Sequence, residues 1–174
     1  MLQVIESPIG PLFIEASTAG LRQITFEPPV VNDASPSIEA QEIIEAAGRQ
    51  IEEYFDGARR AFDVPFDLSL GTPFQRAVWR TIAEIPYGET LSYADVAAIS
   101  GAPNAYRAAG SACGQNPVVI IIPCHRVVGS DGSLHGFGGG LDVKAWLLRH
   151  EGILDRFSTS TRVPSRPTRQ PTLV

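Results

Sequence analysis

The chain is short of cysteine, of long apolar runs and, over its first part, of positive charge, and each shortage removes a class of function. Two cysteines, Cys113 and Cys124, in 174 residues make no disulfide framework. Only His125, His135 and His150 could join them as metal ligands, so no structural zinc site is expected. No stretch approaches the ~20 apolar residues that span a bilayer. The start, Met1-Leu2-Gln3-Val4-Ile5-Glu6, has no basic region leading into an apolar segment. These features predict a soluble protein of the reducing cytoplasm, with no membrane partner.

Positive charge is scarce only locally. The chain carries a net −5, but residues 1–71 hold 4 Arg against 12 Asp and Glu, whereas 72–174 hold 10 Lys and Arg against 7 acids. Phosphate binding needs a local positive field rather than a basic chain, so the second part is the candidate nucleic-acid surface.

What the chain does have is a placed thiol. Val118 to Ile122 form a β-branched run that predicts a fully buried strand, and Pro123 cannot donate into a ladder, so pairing should end there. Cys124, His125 and Arg126 follow at once. A thiol near its ordinary pKa of ~8.5 is mostly protonated at neutral pH, and an adjacent base or cation is what makes it a nucleophile. Adjacent strand residues face opposite ways, so Cys124 and His125 can cooperate only if the turn re-aims one or a water joins them.

Further elements recur at fixed places: Ile85-Pro86-Tyr87-Gly88-Glu89, Ser92-Tyr93, Arg107, Asn116-Pro117, Gly138 to Gly140, and Lys144 through Glu151-Gly152. Together with Pro123-Cys124-His125-Arg126, over residues 72–152, they make the chain resemble the O6-alkylguanine-DNA alkyltransferases. The resemblance implies single-use repair of double-stranded DNA carrying alkylated bases, with no organic cofactor. Some members of that family bind zinc near the N-terminus; this chain has neither Cys nor His before position 113, so no metal is expected.

Residues 1–71 read as a small α/β domain. A hairpin or meander precedes the loop Pro28 to Pro36; a helix from Ile38 places Ile43, Ala47, Ile51 and Tyr54 or Phe55 at helical spacing, and Phe62 to Leu68 alternates like one more strand. The resemblance implies a ribonuclease-H-like fold there. Residues 72–152 read as a mainly helical domain. Thr72-Pro73-Phe74-Gln75 is a capping box, and Ser92 to Asp95 caps a short helix. Gly101 turns that helix into another starting near Pro103, giving a helix-turn-helix. Residues 153–174, rich in Ser, Thr, Pro and Arg, read as a disordered, solvated tail.

Three further groups of residues bear on chemistry. Arg107, Gly110, Ser111 and Gly114 share one nearly bare helix face, suited to close approach by another helix or by a DNA minor groove. The resemblance has Arg107 fill the gap left by a flipped nucleotide. Glu151 follows Val143 and Leu147 on an inner helix face near the C-terminus, where a carboxylate needs a donor or cationic partner; the family pattern supplies His125, completing a Cys–His–Glu relay. Tyr93, Val127, Val128, Phe137, Gly138, Gly139 and Gly140 are expected to build the substrate pocket. By the same resemblance Asn116 orients the turn at Cys124, Tyr93 donates to O6, and the carbonyls of Cys124 and Val127 read the exocyclic amine. The protein is expected to be a monomer, with cooperative assembly on DNA open. A multiple-turnover thiol hydrolase and a non-catalytic reader of alkylated DNA remain the alternatives.

Overall fold

The computed structural model describes residues 3–28 and 37–154; the loop expected up to Pro36 and most of the tail lie outside them. Strands β1 (Gln3–Ile5), β2 (Leu12–Ser17) and β3 (Gly20–Thr25) form an antiparallel meander, rather than a single hairpin, in the order β1-β2-β3. Helix α1 (Ile38–Phe55) packs on β2 and β3. Its first turn is capped by Ser37 Oγ, which accepts from Ala40 N and satisfies one of the free N-terminal amides. The buried stripe of α1 runs through Ala40, Ile44, Ala47, Ile51 and Tyr54, with Ile43 only half-buried. Gly48 permits this close packing, because a Cβ there would lie 3.2 Å from Ile5 Cδ1.

The strand expected over Phe62 to Leu68 is reduced to one bridge, Leu21 to Phe66. Leu21 N donates to Pro65 O, and Asp67 N donates to Leu21 O.

The second part follows its caps. Helix α2 (Pro73–Ala83) opens on the Thr72–Gln75 capping box, and α3 (Tyr93–Ile99) on a box between Ser92 and Asp95. Gly101, at φ 85°, makes the turn into α4 (Tyr106–Gly114). Trp79 Nε1 donates to Ala112 O at 2.8 Å, pinning α2 to α4. Two-residue strands β4 (Leu91–Ser92) and β5 (Val127–Val128) pair in parallel, and α5 (Leu141–His150) closes the fold. Trp146 on α5 stacks on His150 and lies 5.8 Å from the Phe55 ring of α1.

Residues 118–122 are not the expected strand. Val118 bridges Ile24 of β3, the chain reverses, and Ile122 pairs back with Val119. Ile120 takes φ 74°, a left-handed conformation that a β-branched residue normally avoids. Such a residue costs on the order of 1–3 kcal/mol, while full burial of each large aliphatic side chain stabilises by about 1.5–3 kcal/mol. Val118, Ile120 and Ile122 are all fully buried, so burial outweighs the strain. Ile153, expected in the tail, is buried against Val128 and Leu148.

Candidate active site and DNA-facing surface

The reversal at Ile120 delivers Cys124 into a 3-10 turn, Cys124–Arg126, rather than to a strand end. Asn116 holds this turn. Its Nδ2 donates to Ile122 O at 2.7 Å and to Cys124 Sγ at 3.1 Å, while its Oδ1 accepts from Val118 N at 3.1 Å. Cys124 is 6% exposed. Burial pushes its thiol pKa up; the Asn116 hydrogen bond and the nearby Lys144 charge oppose that.

His125 is fully buried, and its Nε2 lies 2.8 Å from Glu151 Oε1. Because the carboxylate can only accept, Nε2 carries the proton and Nδ1 keeps a free lone pair. That nitrogen is buried with no protein partner. Burial keeps the imidazole neutral against the pull of Glu151, with Arg126 and Lys144 adding to the effect. The pair is thus a base held in one tautomer with its accepting nitrogen open.

Glu151, the C-cap of α5, collects five donors. Oε1 accepts from His125, from Tyr54 Oη at 2.8 Å and from Arg126 Nη2 at 3.0 Å; Oε2 accepts from Arg126 Nε at 2.9 Å and Gly88 N at 3.2 Å. Burial alone would raise this carboxyl, but the His125 hydrogen bond and the Arg126 charge overcome it and hold the pKa at about 2. Arg126 is therefore spent on Glu151 and on Ile85 O, 2.5 Å away.

A cavity of about 830 Å³ opens between α3, α4 and the loop that follows β5, lined by Tyr93, Gly110, Gly114, His135, Phe137 and Gly138 among others. Burial pushes the Tyr93 phenol up to about 12. Lys144, the single lysine of the chain, is 1% exposed. Its ammonium donates to Val127 O at 2.6 Å, His135 O at 3.0 Å and Tyr93 Oη at 3.4 Å. An ammonium cannot accept, so the Tyr93 O–H remains free to donate into the cavity. The described residues give Lys144 no carboxylate partner.

The family model for the ribonuclease-like domain of 6-O-methylguanine DNA methyltransferase matches residues 2–68, and the model for its DNA binding domain matches 73–153. This chain belongs to the 6-O-methylguanine DNA methyltransferase family. A methylated-DNA–protein-cysteine methyltransferase from Methanosarcina barkeri is 45% identical over 150 residues, covering 85% of this chain and 94% of its own. One of the same name from Mycobacterium tuberculosis is 44% identical over 154 residues, covering 86% and 90%. The crystal structure of Mycobacterium tuberculosis OGT in complex with DNA superposes with a TM-score of 0.77 at 42% identity, covering 86% of this chain and 91% of that one.

Within this alkyltransferase scaffold the expected pocket divides. Tyr93, Phe137 and Gly138 line the cavity, but Val128 packs against Leu148 and Ile153. A Cβ at Gly139 would press on the Phe26 ring at 2.9 Å. Val127 is fully buried; its carbonyl already accepts from Lys144, and that of Cys124 from Val127 N, leaving each one lone pair. Arg107 and Ser111 are exposed on α4, and Gly110 lies 3.6 Å, measured from an added Cβ, from Tyr93 Cδ1. The bare face therefore borders the cavity. Cys113 is buried, and burial pushes its thiol up to about 12. Sequence reasoning missed Tyr54 and the roles of Lys144 and Arg126; a lone lysine amid apolar α5 positions was the one available signal.

Proposed function

We propose that this member of the family repairs double-stranded DNA by moving the alkyl group of O6-alkylguanine onto Cys124. The observation that carries this reading is the buried Asn116–Cys124 contact beside a neutral His125 whose tautomer Glu151 fixes. The thiol proton passes through a water to His125 Nδ1. Sγ then attacks the alkyl carbon in line, the carbon–O6 bond breaks with its electron pair going to the base, and Tyr93 donates the proton that restores guanine. His125 returns its proton through the site, so the net change is thiol plus alkylated base to thioether plus guanine. A thioether has no carbonyl for water to attack, so each protein acts once.

The base must leave the helix to reach a thiol this buried, which costs a few kcal/mol of unstacking. Approach from the minor groove, with Arg107 filling the vacated space and the Gly110–Ser111 face against the backbone, suits the border between α4 and the cavity. Lys144 supports the chemistry as a buried cation placed for negative charge developing on Sγ or Tyr93 Oη. A monomer acting in the cytoplasm completes the reading, and no helix of the described residues is long and apolar enough to cross a membrane.

Intact mass after incubation with an O6-methylguanine duplex tests it. One methyl per protein on Cys124, with the reaction ending when protein is consumed, is expected. Turnover beyond one equivalent, or methyl on Cys113, overturns it.

A further inference from the structure

Tyr54 belongs to α1 of the N-terminal domain, yet its hydroxyl ends on Glu151 Oε1, 97 residues away in sequence, at 2.8 Å. The same oxygen accepts the hydrogen bond from His125 Nε2. The residue is fully buried and fixed at both ends: Phe55, Phe62, Tyr87 and His150 surround the ring at 5.0 to 6.2 Å, and its carbonyl lies 2.8 Å from His150 Nε2. A phenol kept only for packing could be a phenylalanine, since burying a hydroxyl is unfavourable unless it is hydrogen-bonded. Here its bond goes to the carboxylate that orients the base.

We infer that Tyr54 is a positioning residue for alkyl transfer: its hydroxyl occupies Glu151 Oε1 in competition with His125, so the N-terminal domain contributes a group to the chemistry. This rests on the Cys124 reading above. The groups facing the relay divide into two sets. Arg126 spans both oxygens of Glu151, with Gly88 N on Oε2; Tyr87 donates to His150 O and lies under Arg60 and Arg126. On the other side Lys144 and Cys124 face His125. Because Arg126 keeps the carboxylate in place, removing the phenol leaves geometry largely intact. It frees a lone pair of Oε1 and strengthens the hold of Glu151 on a proton at His125.

Tyr54→Phe should therefore move the acid limb of the single-turnover transfer profile to higher pH by about half a unit, a fraction of what a hydrogen bond to a charged acceptor is worth, since only part of it passes on to His125. On that limb the rate falls about threefold, while affinity for lesion-bearing DNA stays the same. Phe55→Leu loosens the same helix contact without touching Glu151, and should lower the melting temperature but leave the limb in place. A Tyr54→Phe profile that overlays the wild type, or an equal shift in Phe55→Leu, overturns the inference. If wild-type protein transfers no alkyl group, the functional reading fails instead. The His125 Nε2 proton resonance then still decides on Tyr54, since its staying put in Tyr54→Phe overturns the assignment.

Discussion

Glu151→Gln is the sharpest perturbation, because it exchanges an anion with five donors for an amide of the same shape with one oxygen to accept. The size of the loss can be worked in two ways. The carboxyl sits at about 2 in the folded protein against an ordinary 4.5, a gap that corresponds to about 3 kcal/mol at neutral pH. Breaking one side of a buried ion pair independently costs about 3–5 kcal/mol, here by stranding Arg126. At ~2–4 °C per kcal/mol for a protein this size, the melting temperature should fall by roughly 6–12 °C. The pH dependence has a definite sign. A lowered folded pKa contributes stability that is complete above 4.5 and vanishes as pH falls through about 2, so wild type and Glu151→Gln should converge over that window. Transfer should slow by at least ~10-fold, the usual scale for removing the partner that orients a working histidine. Thermal melts from pH 7 to 2 and single-turnover kinetics make the test. Equal melting temperatures at neutral pH, or a gap that persists at pH 2, would refute the assignment of Glu151 as a buried anion.

Two other variants probe different parts of the site. Arg107→Ala should slow repair of a duplex lesion strongly while barely changing transfer from a free alkylated guanine base, which needs no flipping; equal duplex rates would return α4 to ordinary packing. Lys144→Met should lower stability by about 1–3 kcal/mol, because it relieves a buried cation but strands the Val127 and His135 carbonyls, and should slow transfer on duplex and free base alike; an unchanged rate on both in the folded variant would rule out an electrostatic role.

Much of this architecture was legible because its signals are local. Ser37, Thr72 and Ser92 announce their helices within one turn, and a hairpin or meander follows from alternation and turn residues. The Asn116, Cys124, His125 and Glu151 set could be named from the family pattern, and the structure joins Asn116 to Cys124 and His125 to Glu151. Local signals failed where tertiary pairing decides. Val118 to Ile122 has the composition of a strand, but its partner is the far end of β3, and the chain reverses at Ile120 to meet it. Helix α4 begins at Tyr106 rather than near Pro103, without a side-chain cap. Val128 and Gly139 sit beside pocket residues in sequence but face Leu148 and Phe26. Nothing within α1 says that Tyr54 is polar for a reason, since its partner is 97 residues away.

The positions of the two tryptophans make the protein its own optical instrument. Trp79 is locked between α2 and α4 through Ala112 O, so its emission follows the helix that presents Arg107. Trp146 lies over His150 at 5.1 Å and 11°, on the seam that Phe55 closes, so its emission follows contact between the two domains. With each replaced in turn by phenylalanine, the remaining indole separates the engagement of DNA from the opening of the seam, in the same molecule and without an added dye.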